Sequence, residues 1–183
     1  MEAPAEAPTS SDRAAHPKNC TDSFNTFLQA VALGGIAAGV RAVWDAAVAA
    51  PEWEGPPVWL HGDLHPADVV VSDGTLSGVI DFGDMFADDP AWDLATAWVL
   101  LPPGTASRFF DAYAHADGAT IRRAGGLAAL KSLFLVLMGQ NGERGPSGYS
   151  RTMIVLSTNG CTDVSHGRAG RRGHHGGSRC RRR

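Results

Sequence analysis

Apolar residues recur at helical spacing over two early stretches of the chain. One stripe runs through residues 24–31 and another through residues 36–47, and Gly34 and Gly35 lie between them. A repeat of three to four residues is typical of a helix that buries one face. We predict two helices joined at the glycine pair, the second ending before Pro51.

A second helical region is predicted after residue 88. Asp89 and Pro90 are residue types that favour a helix start, with Asp at the cap and Pro at the first helical position. Apolar residues follow at helical spacing within 107–116 and again within 127–137. A glycine pair at 125–126 is expected to weaken the last helix locally.

Between these regions the pattern changes to that of strands. Residues 58–66 predict a short buried strand that runs into a loop. The runs 69–72 and 75–82 are strand-like and are separated only by Asp73 and Gly74. An Asp-Gly pair between two such runs is the strongest short-range signal for a β-hairpin.

The expected register of this hairpin brings two acids together. A two-residue turn at Asp73 and Gly74 would place Ser72 opposite Thr75. Counting back along both strands, Asp68 then faces Val79, and Asp81 falls diagonally beyond Asp68 on the same side of the ribbon. Diagonal neighbours lie roughly 7 to 8 Å apart, so two carboxylates at these positions can reach one bridging cation. We therefore predict that the hairpin presents metal ligands.

The composition is that of a folded protein with an uneven charge. Hydrophobic residues make up 44% of the 183 residues, which is enough for the core of one compact domain. Seven Arg and no acid lie within 168–183, so residues 1–167 carry 9 basic and 19 acidic residues, a net charge of −10. An acidic body argues against specific nucleic-acid binding, and a divalent cation would relieve its carboxylate clusters.

Cysteine usage and the N-terminal sequence indicate a cytoplasmic protein. Cys20, Cys161 and Cys180 are odd in number and widely spaced, and they match neither a disulfide framework nor a zinc motif. The first residues lack the basic and apolar regions of a signal peptide, and no apolar run is long enough to span a bilayer. We therefore expect no membrane partner and a reducing compartment.

Three motifs follow one another along the chain: HGDLHPAD at 61–68, GVIDFGD at 78–84 and DDPAWDLA at 88–95. Together they resemble the catalytic half of the aminoglycoside phosphotransferase family, whose fold is similar to that of protein kinases. The resemblance implies an α/β (α+β) fold: a protein-kinase-like C-terminal lobe, mainly helical, with a β-hairpin that carries the metal ligands. It also implies transfer of the γ-phosphoryl group of ATP or GTP to a hydroxyl of a small molecule such as an aminoglycoside, with Mg²⁺ as cofactor. The acidic body suits a cationic acceptor.

The resemblance assigns roles to individual residues. Asp63 would be the catalytic base that accepts or orients the substrate hydroxyl, and His61 would support its loop. Asp81 would bind Mg²⁺ beside the nucleotide, and Asp93 would brace the catalytic loop by accepting backbone hydrogen bonds. Asp68 stands where the family pattern has a metal-binding Asn. An Asp keeps the oxygen ligand but adds a negative charge, which repels nucleotide phosphates.

The sequence predicts a disordered leader at 1–23, the kinase-like lobe at 24–160 and a basic low-complexity tail at 161–183. A kinase-like enzyme also needs an N-terminal lobe with a phosphate-covering loop and a Lys for the nucleotide. Only Lys18, in the leader, and Lys131, in a late helix, are present, and no strand-rich block precedes residue 24. We therefore expect a C-terminal lobe without its N-terminal partner, which a separate chain could supply.

Other functions are compatible with parts of the sequence. A catalytically inactive, truncated remnant of the same family could act as a metal-binding or interaction module. The HGDLH motif is similar to the clusters of metal-dependent hydrolases, but such sites need further His or Asp ligands from separate strand ends. The remaining five His residues lie in the leader, a helix or the tail. The Arg-rich tail lacks aromatic residues between its charges, so any nucleic-acid binding by it is expected to be nonspecific.

Four polar residues of these motifs have structural interpretations that compete with chemistry. His65 is expected to belong to the loop rather than to a metal site. For Asp84, Asp88 and Asp89, capping and turn roles are as compatible with the sequence as catalytic ones.

Overall fold

The computed structural model describes residues 1–4, 6–9 and 16–140, which form a mainly helical lobe with two small antiparallel sheets. The helices are α1 (Thr21–Ala30), α2 (Ala37–Val48), α3 (Ala91–Leu94), α4 (Thr96–Val99), α5 (Ala106–Tyr113) and α6 (Gly118–Gln140). The strands are β1 (Val58–Leu60), β2 (Val69–Ser72), β3 (Thr75–Val79) and β4 (Phe86–Asp88), and 3₁₀ turns lie at Pro17–Cys20, Gly34–Ile36, Pro66–Asp68 and Phe82–Asp84. The predicted basic tail lies outside the described residues.

The two predicted N-terminal helices are confirmed, but helical structure begins earlier than the apolar pattern indicates. The turn Pro17–Cys20 runs directly into α1, and Pro17 is buried. Residues nearer the N terminus contact the first sheet: Ala87 N–H donates to Pro8 O at 2.9 Å, and Glu2 forms an antiparallel bridge with Val58. Part of the segment predicted as a leader therefore makes defined contacts with the lobe.

The core is built around α6, which packs against α1, α2, α3 and α4. Its positions from Thr120 to Leu133 are buried almost without interruption, as expected for a helix enclosed by others. On the neighbouring helices, the rings of Phe24 and Trp44 stack with centroids 4.1 Å apart. The stripe predicted within 127–137 is thus only part of the buried surface of this helix.

The glycine pair of α6 is a packing feature and does not interrupt the helix. A Cβ placed on Gly126 would lie 2.3 Å from the Cβ of Ala47 in α2, closer than two carbon atoms can approach. The absence of a side chain therefore sets the separation of α2 and α6. The helix is continuous through this contact.

Gly126→Ala should destabilise the protein by about 1–3 kcal/mol, because the added methyl group overpacks a rigid contact with Ala47. Urea unfolding followed by circular dichroism would measure the change. Ala47→Gly in the same chain should recover part of the loss. Gly39→Ala in α2 is the matched control, since nothing lies within 4 Å of its added Cβ. An equal loss in the control would contradict the packing explanation.

A buried ion pair joins α6 to the start of α3. Arg123 is 1% exposed, and its guanidinium donates to both oxygens of Asp89, from Nε to Oδ2 at 2.6 Å and from Nη2 to Oδ1 at 3.2 Å. It also donates to Pro51 O at 2.6 Å and to Thr120 Oγ1 at 3.2 Å. Asp89 Oδ1 accepts from Ala91 N–H at 2.9 Å, so Asp89 caps the first turn of α3 as the sequence predicts.

The hairpin predicted at Asp73 and Gly74 is confirmed. The predicted pairing of its strands is correct near the turn and wrong at the end away from it. Val71 faces Leu76 as expected, after which the pairing shifts by one residue, so that Val69 and not Asp68 faces Val79. Ser77 is the extra residue of this β-bulge. The hairpin is exposed on both sides, so no buried face fixes the alternation and the register cannot be counted from the turn alone.

Candidate functional site

The loop that carries Asp63 lies between β1 and the turn Pro66–Asp68. Leu60 at the end of β1 is buried against Phe86 of β4, which anchors the loop at its start. Asp63 itself is exposed, and none of the described residues donates a hydrogen bond to its carboxylate. A carboxylate in this position can accept a hydrogen bond from an incoming molecule.

Two consecutive residues of α3 hold the backbone of this loop. Asp93 accepts the N–H of His61 at Oδ2, 2.6 Å away, and the N–H of Gly62 at Oδ1, 3.2 Å away. Trp92 Nε1–H donates to the carbonyl oxygen of Gly62 at 2.5 Å. The N–H groups of His61 and Gly62 and the carbonyl of Gly62 are therefore all held by side chains of α3.

Gly62 is required by the shape of the loop. Its φ is +89°, in the left-handed region, and a Cβ added to it would lie 2.2 Å from the carbonyl oxygen of Asp84. Only glycine fits both conditions. The loop of Asp63 thus lies directly against the segment that follows the hairpin.

His61 connects the loop of Asp63 to that of Asp81. Its ring is buried, and Nε2 lies 2.8 Å from Ile80 O, the carbonyl that precedes Asp81. The ring of Phe82 packs against it with centroids 4.8 Å apart. Nε2 must carry a proton to donate to this carbonyl, and Nδ1 is buried without a hydrogen-bond partner among the described residues.

Asp81 has φ +63° and ψ +59°, a left-handed conformation that is uncommon for residues other than glycine. Such conformations persist only where the surrounding structure enforces them, and they concentrate at functional sites. The side chain is exposed, and no described residue donates to its carboxylate. Like that of Asp63, this carboxylate can take an external ligand.

Asp68 is 5% exposed and partly engaged. Its Oδ2 accepts the N–H of His65 at 3.2 Å and lies 2.9 Å from Nδ1 of the same ring. His65 therefore belongs to the turn Pro66–Asp68, as expected, and its ring lies against the carboxylate. Within the described residues Oδ1 of Asp68 receives no hydrogen bond.

The structure brings Asp68 and Asp81 close by a route other than the predicted one. Ile80 N–H donates to Asp68 O at 2.9 Å, so Asp81 directly follows the residue bonded to Asp68. Their Cα atoms consequently lie within roughly 9 Å of each other. The left-handed turn at Asp81 replaces the strand alternation on which the predicted diagonal pairing rested.

Asp68 and Asp81 carry the type of oxygen atom that Mg²⁺ prefers as a ligand. Mg²⁺ is commonly bound by one or two carboxylates together with water and substrate phosphates. Asp81 and Oδ1 of Asp68 supply carboxylate oxygens of this kind. Within 1–4, 6–9 and 16–140 there is no group of three or more His, Cys, Asp or Glu residues arranged to hold a metal ion. A site made by the described residues alone would therefore be incomplete without a ligand that brings its own oxygens.

Two neighbouring acids have local structural roles. Asp88 Oδ1 accepts the N–H of Asp89 at 2.7 Å, and partial burial raises the pKa of Asp88. Asp89 is held by the buried guanidinium of Arg123. The sequence analysis missed the Arg123 pair and the bond from Trp92 to the loop. The sequence does contain one indication that Arg123 is buried. It lies in a run of small and apolar residues that is too hydrophobic for a helix on the protein surface.

The hairpin and the turn after it expose several apolar side chains of their own to solvent. Leu76 is 63% exposed and Val71 is 60% exposed. The large apolar residues exposed in this region are Val70, Val71, Leu76, Ile80, Phe82 and Met85. An isolated two-stranded hairpin is only marginally stable in water, so this element is of the kind that gains stability by packing against another structure. No helix in the described part of the chain is long and apolar enough to cross a bilayer.

A helical lobe, a loop held by α3 and a hairpin ending at an exposed acid make up the mainly helical α+β architecture that the sequence predicts. A family model described as "Phosphotransferase enzyme family" matches residues 8–128, well over half of the 183 residues. The chain belongs to this family, as the motif resemblance predicts. No curated protein matches the chain.

Two solved structures show similarity to the chain. A thermostable mutant of aminoglycoside phosphotransferase APH(4)-Ia, in a ternary complex with AMP-PNP and hygromycin B, is 20% identical with a TM-score of 0.48. The apo form of a thermostable mutant of the same enzyme is 18% identical with a TM-score of 0.47. Each match covers 84% of this chain and 52% of the other. The chain thus spans about half the length of the structures it matches.

Proposed function

We propose that the protein takes part in transfer of the γ-phosphoryl group of ATP or GTP to a hydroxyl of a small molecule, such as an aminoglycoside. The observation that carries this proposal is the loop of Asp63, whose backbone is fixed by Asp93 while its carboxylate remains open to a substrate. Positioning of an acceptor hydroxyl beside a carboxylate is what phosphoryl transfer requires of a protein base.

In this proposal Asp63 accepts the proton of the acceptor hydroxyl. The hydroxyl oxygen forms a bond to the γ-phosphorus, and the bond from that phosphorus to the bridging oxygen of the nucleoside diphosphate breaks. Asp93 and His61 keep the loop in place during the step. Asp81 and Asp68 would hold Mg²⁺, which when bound with the nucleotide neutralises charge on its phosphates.

The Asp at position 68 is the departure from the family pattern that most affects this proposal. A second carboxylate strengthens the attraction for a cation and also repels the phosphates. The His65 ring nitrogen 2.9 Å from Asp68 Oδ2 is close enough to offset part of this charge when it carries a proton. We expect the extra negative charge of Asp68 to change the affinity for the nucleotide more than the affinity for Mg²⁺ alone.

A second lobe is expected to complete the site. The exposed apolar residues of the hairpin and the following turn provide a surface that such a lobe would cover. The acidic body favours a cationic acceptor. The cysteine pattern supports a cytoplasmic location, and neither a membrane nor a specific nucleic acid is a proposed partner.

A catalytically inactive remnant that binds metal or another protein is the second candidate. The positions of the two Lys residues favour it. Lys18 forms an exposed ion pair with Glu52, and Lys131 donates to the carbonyl of Trp92. Neither contact involves the carboxylates of Asp63 or Asp81.

Binding of Mg·ATP measured by calorimetry separates these candidates. Asp81→Asn should abolish the binding or weaken it at least about tenfold, because it removes a charged ligand of the metal. Asp73→Asn is the matched control. Asp73 is also exposed and also has a positive φ, of 50° at the hairpin turn, and Asn tolerates that conformation.

Loss of binding in Asp81→Asn with retention in Asp73→Asn would support an assembled nucleotide site, and a screen of acceptor alcohols would follow. Equal binding by both variants would contradict the assignment of Asp81. Binding of Mg²⁺ without any binding of nucleotide would favour the inactive remnant.

A further inference from the structure

Trp92 has a role that neither its sequence motif nor its apolar character predicts. Sequence patterns assign Trp residues to the core by default. In the structure its indole N–H instead donates to Gly62 O at 2.5 Å. The next residue, Asp93, accepts the N–H groups of His61 and Gly62. Two adjacent side chains therefore bond the same loop, Trp92 as a donor and Asp93 as an acceptor.

The carbonyl that Trp92 bonds is part of the peptide unit that joins Gly62 to Asp63. A peptide unit is planar, so fixing its oxygen also fixes the orientation of the N–H and Cα of the next residue. Asp93 acts on the two N–H groups before this unit. In the described part of the chain Trp92 is the group that bonds the Gly62 carbonyl, and so the unit leading directly into Asp63.

Trp92 is itself held by α6. Lys131 Nζ lies 4.5 Å from the centroid of the indole ring and donates to Trp92 O at 3.0 Å. Phe86 of β4 contacts the ring at an angle, with centroids 6.5 Å apart. A continuous path of contacts therefore runs from the central helix through Trp92 to the loop.

We propose that Trp92 is a positioning residue that sets the orientation of the Gly62–Asp63 peptide, with Lys131 holding the indole in place. The expected effect of Trp92 on catalysis, through placement of the Asp63 carboxylate, rests on the proposed phosphotransferase function. The expected effect of Trp92 on the structure of the loop does not depend on that function and can be measured in the protein without substrate.

Trp92→Phe tests this assignment because it removes the indole N–H and keeps an aromatic ring. Trp98→Phe is the matched control: Trp98 is buried in α4, and its Nε1 has no hydrogen-bond partner among the described residues. Amide hydrogen exchange across residues 61–64 would be measured in both variants, together with the free energy of unfolding. We expect about tenfold faster exchange in Trp92→Phe beyond any change in global stability, and no such local change in Trp98→Phe.

Enzyme assays separate this inference from the proposed function. If the protein phosphorylates an acceptor, Trp92→Phe should lower kcat about tenfold and leave the KM for the nucleotide unchanged. If the protein shows no transfer but the loop still exchanges faster, the proposed function fails and the role of Trp92 stands. Unchanged exchange in Trp92→Phe, or an equal increase in Trp98→Phe, overturns the inference.

Lys131→Met provides a second variant should Trp92→Phe not fold. It removes the charge over the indole ring and the bond to Trp92 O while the indole N–H remains. Exchange across 61–64 should increase by a smaller factor than in Trp92→Phe, about threefold. No increase would count against the path from α6 to the loop.

Discussion

Arg123→Met is expected to destabilise the protein by about 3–5 kcal/mol, a large fraction of the stability of an ordinary domain. The substitution leaves the carboxylate of Asp89 buried without its partner. It also removes the donors to Pro51 O and Thr120 Oγ1, and the start of α3 loses the buried ion pair that joins it to α6. Chemical denaturation, or the soluble yield if the variant unfolds, would measure the loss.

Arg122→Met is the control for this experiment. It makes the same chemical change one residue earlier, at an exposed position of the same helix. Its effect should stay within about 0.5 kcal/mol. Similar losses in the two variants would mean that the buried pair with Asp89 is not what the substitution disrupts.

The second large effect is expected for Gly62→Ala, which should distort the loop of Asp63 and destabilise the protein by about 2–5 kcal/mol. A left-handed backbone disfavours Ala by about 1–2 kcal/mol, and overpacking adds about 1–3 kcal/mol. The added methyl group would be 2.2 Å from Asp84 O, and a backbone atom cannot move aside as a side chain can. Binding of Mg·ATP, where the wild type shows it, should be lost as well.

Gly104→Ala separates the two causes. Gly104 has a φ of +77°, but nothing lies within 4 Å of its added Cβ. Its loss in unfolding free energy therefore measures the conformational cost alone, and the excess in Gly62→Ala measures the clash. If the two substitutions had the same effect, the contact between the loop and Asp84 would be unimportant for stability.

Local patterns in the sequence predicted several elements well. The apolar stripes predicted α1 and α2, the Asp-Gly pair predicted the turn between β2 and β3, and Asp89 was predicted to cap α3. Each of these features depends on residues within a few positions of one another. Periodicity and turn chemistry act over that same range.

The candidate site was predicted less completely. The motifs drew attention to Asp63, Asp68 and Asp81, whose roles in catalysis and metal binding stay predictions. The counted register failed because Ser77 bulges from an exposed hairpin. In the structure the Ile80 N–H bonds Asp68 O, and Asp81 then turns into a left-handed conformation that a count of alternating positions does not include.

The sequence by itself determined the family, the helical and hairpin elements and the identity of the acids, because short motifs and periodic patterns carry that information. Only the tertiary structure decided how these elements are fixed. Gly126 against Ala47, Arg123 with Asp89 and Trp92 on Gly62 join residues 30 or more positions apart. Such contacts depend on how helices and loops pack in three dimensions, and the local pattern around either residue contains no record of its partner.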